Sequence, residues 1–162
     1  MPGSAAVGGV IGYFIGKPER LVGVVADARE VVRWFTLAAE QGHMLAQCNL
    51  GNCYANGRGV PKSMKTAVKW FLKAAEQGEP DSQFKAGCCF ILGEGVEQDL
   101  TKAVEWFRHA AEQDHAAAQH VLGLCYAEGE GIPQNRQEAL KWLRRSAARG
   151  YEPAKESLRE ME

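Results

Sequence analysis

Five cysteines (Cys48, Cys53, Cys88, Cys89, Cys125) and four histidines (His43, His109, His115, His120) are the side chains with the widest chemical reach in this 162-residue sequence. They could ligate zinc, close disulfides, or act as nucleophile and base. Their spacing argues against each. Zinc sites draw ligands from close pairs such as C-x-x-C with a matching second pair, and the sequence has no such pair. His120 and Cys125 lie five apart, whereas one helical face needs a step of three or four. The adjacent Cys88-Cys89 cannot close an unstrained bridge. An odd cysteine count without C-x-x-C fits free, buried thiols in a reducing, cytoplasmic compartment. The glycine turns at Gly57-Arg58-Gly59, Gly93-Glu94-Gly95 and Gly129-Glu130-Gly131 lack the Gly-Lys-Ser/Thr of a phosphate loop. The sequence therefore predicts no catalytic residue, no metal ligand and no cofactor.

Charge and composition narrow the remaining classes. Nineteen Lys and Arg against 20 Asp and Glu give a net charge of −1, without the basic excess of a nucleic-acid binder. Apolar residues at 46% and charged residues at 24% exclude a fully disordered chain. Residues 5–16 are apolar, with Gly8, Gly12 and Gly16 four apart as in membrane-helix packing. The run is shorter than the roughly 18 residues a span requires, and no Lys or Arg precedes it as in a signal peptide. Residues 1–22 are expected to be a degenerate or disordered N-terminal segment, and membrane attachment is not expected.

The elements behind these residues follow from an internal period. Trp34, Trp70, Trp106 and Trp142 are each 36 residues apart. Ala39, Ala75, Ala111 and Ala147 keep the same step, as do Gly51, Gly87 and Gly123, and Gly59, Gly95 and Gly131. Such a period marks stacked supersecondary units. Each unit reads as two helices. Ala46, Leu50 and Tyr54 form one apolar stripe in a first helix from about Met44 to Ala55, which Asn56-Gly57-Arg58-Gly59 ends. A second helix starts after Ser63 and runs to about Gln77. Asp27, Ser63, Asp99 and Asn135 precede the second helices and are good N-caps, with Asp27/Glu30 and Asn135/Glu138 at capping-box spacing. Gly51, Gly87 and Gly123 fall mid-helix, where glycine costs about 1 kcal/mol. The pairs Trp70-Phe71 and Trp106-Phe107 are candidates to lie against that bare backbone.

The fold class expected is all-α: a right-handed superhelical α-solenoid of helix-turn-helix repeats with one concave face. Its frame is a half repeat at 23–42, repeats at 43–78, 79–114 and 115–150, and a capping helix at 151–162, together a solenoid over 23–162.

The unit A-x-x-x-L-G-x-x-Y-x-x-G-x-G-V followed by A-x-x-W-F-x-x-A-A-E-Q-G stands here as Ala46, Leu50-Gly51, Tyr54, Gly57, Gly59-Val60, then Ala67, Trp70-Phe71, Ala74 to Gly78. It closely resembles the Sel-one-like repeat, a relative of the tetratricopeptide repeat, over residues 23–158. Departures are Ala86 for Leu, Asp114 for Gly, and a broken first half-unit, with Ile15 at the Gly51 position and Pro18 at the Tyr54 position. The resemblance implies a scaffold or adaptor that holds a partner protein in its groove. Alternatives are a hydrolase-like or enzyme-accessory activity, suggested for some relatives, and a purely structural spacer. Secreted cysteine-rich relatives carry a disulfide within each repeat. Here Cys53, Cys89 and Cys125 share one repeat position, too far apart for mutual bonding.

Residues in register build the array, and those that vary at equivalent first-helix positions can carry specificity. The candidate partner-binding groove comprises Asn49, Asn52, Asn56, Phe84, Lys85, Cys88, His120 and Leu124, with Phe84 and Leu124 as apolar anchors for a peptide or helix. His43 and His115, at one repeat position, are expected to cap or solvate a turn. The indoles are expected to be core, so Trp106→Ala should cost about 3–5 kcal/mol in a denaturation experiment.

Overall fold

A computed structural model describes residues 27–162. The segment 1–22, with its apolar run, lies outside the described residues. Eight helices follow one another: α1 (Ala28–Glu40), α2 (Met44–Asn56), α3 (Met64–Glu76), α4 (Pro80–Leu92), α5 (Leu100–Glu112), α6 (Ala116–Glu128), α7 (Arg136–Ala148) and α8 (Glu152–Met161). No strand occurs among the described residues. The helix starts recur every 36 residues in two interleaved series, α1-α3-α5-α7 and α2-α4-α6-α8. The described chain divides into a unit ending at Ala74 and a unit beginning at Ala75.

The boundaries have local causes. Asp27, Asp99 and Asn135 cap α1, α5 and α7, and the Ser63 hydroxyl accepts from Thr66 N at 3.2 Å at the start of α3. His43 and His115 do cap turns: each Nδ1 accepts from the amide three residues on, Ala46 or Ala118, at 3.2 Å. Glu79 takes that place before α4. Each such cap contributes about 1 kcal/mol. The capping boxes are incomplete. Asp27 accepts from Arg29 N rather than Glu30 N. At α7, Asn135 Oδ1 accepts from Glu138 N, but the Asn135 amide already donates to Tyr126 O at 2.8 Å. No donor is left there for the Glu138 carboxylate. The same backbone bond joins Ser63 to Tyr54 and Asp99 to Phe90, so one link closes each first-to-second-helix turn. Gly57, Gly93 and Gly129 end α2, α4 and α6 in the left-handed region, φ 65°, 68° and 71°.

Packing within each unit turns on the mid-helix glycines. In the first unit α1 packs on α2 over Val32, Phe35, Ala38, Ala39, Ala46, Leu50 and Cys53. A Cβ at Gly51 would lie 2.6 Å from the Phe71 ring. In the second unit α4 packs on α5, α5 on α6, α6 on α7 and α7 on α8. There a Cβ at Gly87 would lie 2.6 Å from the Phe107 ring, and one at Gly123 2.8 Å from Leu143 Cγ. The residue against the glycine is therefore the one after the tryptophan. Trp34, Trp70 and Trp106 are only half-buried and Trp142 alone is buried, whereas Phe107 and Leu143 are fully enclosed. This corrects the expectation that the indoles fill the interior. The shift of one position turns the indole roughly 100° round the helix, out of the glycine contact.

Gly87→Ala should destabilise the protein by about 1–3 kcal/mol in a denaturant titration, because a flat ring cannot retreat from the new methyl group. Gly123→Ala should cost less, since an aliphatic Leu143 can adjust. Phe107→Ala should cost about 3–5 kcal/mol and Trp106→Ala clearly less.

Candidate functional site

The candidate residues fall on first helices, and those helices present one side to solvent because their other sides meet the second helices. In the first unit, α2 carries Asn49, Asn52 and Asn56. Asn49 Nδ2 donates to Leu45 O at 2.8 Å and Asn56 Nδ2 to Asn52 O at 3.0 Å. These amides turn back onto their own helix, one turn earlier, and present mainly their carbonyl oxygens outward.

In the second unit the side chains of α4, α6 and α8 meet directly. Phe84 is half-buried, with its ring stacked on His115 at 4.9 Å between centroids and 5.8 Å from Phe107. Lys85 pairs with Asp81 at 2.7 Å, one turn earlier on α4. His115 spends Nδ1 on the cap of α6, which leaves Nε2 facing Asp81 at 3.5 Å. The His115 hydrogen bond, and after it the Lys85 ammonium, hold the Asp81 carboxyl well below the usual carboxylate range despite partial burial. Phe84, Lys85 and Asp81 thus form one cluster with the α6 N-terminus. Farther along, Cys88 and Leu124 are half-buried, and Leu92 is 65% exposed at the end of α4.

His120 sits between α6 and α8, with Nε2 at 3.0 Å from Ser157 Oγ and its ring 5.5 Å from that of Tyr151. Burial pulls its pKa below the ordinary histidine value. The Ser157 hydroxyl donates to Pro153 O at 3.0 Å, so in this pair His120 Nε2–H donates and Ser157 accepts. A serine nucleophile requires the reverse. His109 is exposed on α5, 5.7 Å from the Trp106 ring. Among the described residues the five cysteines form no disulfide. Burial pushes Cys88, Cys89 and Cys125 up to about 11, where little reactive thiolate exists near neutrality. Among the described residues no three His, Cys, Asp or Glu side chains converge as metal ligands.

Buried amides at the same step of 36 went unread in the sequence. Gln47, Gln83 and Gln119 donate through Nε2 to the carbonyls of Ala39, Ala75 and Ala111, at 3.1, 3.2 and 3.0 Å. Each adds a second donor to a carbonyl in the last turn of the preceding second helix, which already accepts the backbone N–H of Gly42, Gly78 or Asp114. Their period was the available signal, but a buried glutamine looks like a surface residue to an apolar-stripe search.

The Sel1 repeat model matches residues 9–43, 45–79, 80–115 and 116–151. No curated protein matches the chain. The chain is similar to a solved protective antigen of uropathogenic Escherichia coli strains that displays an SLR fold: 37% identity, TM-score 0.79, 86% of this chain and 29% of that one. It is also similar to a Sel1 repeat protein from Oxalobacter formigenes, at 38% identity and TM-score 0.72, over 78% of this chain and 54% of that one. Cysteine rich protein B of Helicobacter pylori shares the fold at 22% identity, with TM-score 0.63, over 83% of this chain and 96% of its own. The chain thus spans less than two thirds of the first two relatives.

The Asp81 carboxyl, depressed in the folded state, stabilises the protein above its unfolded value near 3.9 and loses that contribution as pH falls below about 4. Asp81→Asn should therefore lower stability at pH 7, by about 1 kcal/mol or less given solvent screening. The deficit should shrink towards zero below pH 4 in denaturant titrations across pH.

Proposed function

Because the chain belongs to the Sel1 repeat family, we propose that it is a protein-interaction scaffold that holds a peptide or helix of a partner protein along its first-helix face. Proteins of this family are in general non-catalytic scaffolds. The observation that carries the reading is the contrast between two sets of repeat-equivalent positions. Between helices, Gly51, Gly87 and Gly123 are invariant, as are Gln47, Gln83 and Gln119. On the solvent side of the first helices the equivalents diverge: Asn49, Lys85 and Val121, then Asn52, Cys88 and Leu124. Packing does not dictate those types, and their variation gives successive repeats different chemistry. In the second unit they supply apolar anchors at Phe84 and Leu124 beside the Lys85–Asp81 pair, a mix suited to a peptide with both apolar and charged side chains.

No helix among the described residues is long and apolar enough to cross a membrane. The net charge of −1 favours a protein over a nucleic-acid partner.

A photoreactive residue in place of Lys85 should cross-link a discrete partner in the native cell, whereas one in place of Lys141 on α7 should not. Adding Leu92→Asp to the Lys85 probe should abolish that adduct and move the melting temperature by no more than about 2–4 °C, since the Leu92 side chain is exposed. Equal capture from both faces would remove the groove reading. Hydrolytic turnover by the purified protein, lost on His120→Ala, would replace the scaffold with an enzyme.

A further inference from the structure

Charge is segregated along the chain in a way that neither packing nor the first-helix face uses. Residues 41–75 contain Arg58, Lys62, Lys65, Lys69 and Lys73 and no Asp or Glu. Across the described first unit, 27–74, seven Lys and Arg stand against three acids, and across 75–162 ten stand against sixteen. Lys65, Lys69 and Lys73 are exposed at i, i+4 and i+8 on α3, one stripe with about 6 Å of rise between members. Arg58 and Lys62 lie exposed in the turn that leads into it. None of the five has a carboxylate partner among the described residues. Other second helices differ: Lys102 is 3.9 Å from Asp99 and Lys141 is 3.5 Å from Glu138.

The stripe is unfavourable for the isolated molecule. Like charges four apart on a helix repel, and Lys65 lies in a first turn with no acid to match the positive end of the helix dipole. Among the described residues only Lys73 has a compensating contact, over the Trp70 ring at 4.6 Å. A bound anionic surface would relieve the repulsion. The second unit displays a matching one: Glu152, Glu156 and Glu160 are exposed on α8 at the same i, i+4 and i+8 spacing. Among the described residues only Glu152 of these three has an ion pair, with Lys155.

We propose that the Lys65-Lys69-Lys73 stripe of one copy docks on the Glu152-Glu156-Glu160 stripe of a second copy, giving a weak, salt-sensitive head-to-tail self-association. The contact is heterologous: each copy keeps one stripe free, so further copies can add. Its exposed pairs are screened by salt within about 10 Å at 0.1 M.

Sedimentation velocity over a concentration series tests this with the intact chain. At about 20 mM salt the weight-average sedimentation coefficient should rise with concentration, and at about 300 mM it should return to the monomer value as screening shortens. K65E/K69E/K73E should sediment as a monomer at low salt, and so should E152K/E156K/E160K. Mixing the two variants should restore association, because each then carries the complement of the other. Circular dichroism and melting curves establish that both variants are folded. A wild-type protein that stays monomeric at low salt overturns the proposal. So does association that survives the lysine changes in a folded protein, or folded variants that fail to pair when mixed. Binding of the stripe to anionic vesicles without self-association would assign it a membrane instead, and would equally overturn it.

Discussion

One contact sets the geometry of each helical hairpin: the side chain after the tryptophan lies directly against the bare backbone of a mid-helix glycine. The glycine gives up about 1 kcal/mol of helix propensity, and the hairpin gains a closeness that no side chain at that position would allow. Phe71 on Gly51 in the first unit, and Phe107 on Gly87 with Leu143 on Gly123 in the second, are versions of the same wedge. With the helices that close, Ala46, Ala86 and Ala118 on the first helices and Ala67, Ala103 and Ala139 on the second become fully buried. Larger residues there would push the pair apart.

The polar groups follow from this closeness. A buried helix end needs partners for its free amides and carbonyls, and the chain supplies them at fixed repeat positions. Side-chain caps serve the N-termini, and Gln47, Gln83 and Gln119 serve the carbonyls of the preceding second helix. Where the sequence leaves its pattern, the chemistry changes hands. Asp114 stands where other repeats have Gly and keeps the left-handed conformation at φ 65°. Its carboxylate accepts from Arg145 at 2.9 Å and faces Arg149 at 3.6 Å, and the Arg145 hydrogen bond, ahead of Arg149, holds it below the usual carboxylate range. Arg149 occupies the repeat position of Gln113, whose Nε2 donates to Gln83 Oε1 at 2.8 Å. In the later repeat that guanidinium is drawn to Asp114, and Gln119 Oε1 has no protein donor.

The fold was legible because period, breakers and caps carry it redundantly. The shared 36-residue step of Trp, Ala and Gly sets the register in which the eight helices of the described residues fall. The errors have physical causes. A tryptophan and the phenylalanine beside it share a period, so spacing could not tell which ring meets the glycine and which half-faces solvent. The site was less legible, since its residues are by nature outside the register. Sequence position put Phe84 and Lys85 on the open face of α4. It could not show that His115, 31 residues on from Phe84, stacks over that ring and faces Asp81. The Asp81–Lys85 pair, four apart on α4, was open to a reading of helix spacing. Contacts between α4 and α6 depend on how successive hairpins lie together, which helix periodicity does not encode.

The wedge is most directly tested by a double-mutant cycle on Gly87→Ala and Phe107→Leu, with unfolding free energies from denaturant titration. If the ring on the glycine backbone governs the hairpin, Gly87→Ala costs much less in the Phe107→Leu background than in the wild type, a coupling of at least about 1 kcal/mol. Equal costs in the two backgrounds would mean that the glycine and the ring act independently, and would contradict the account.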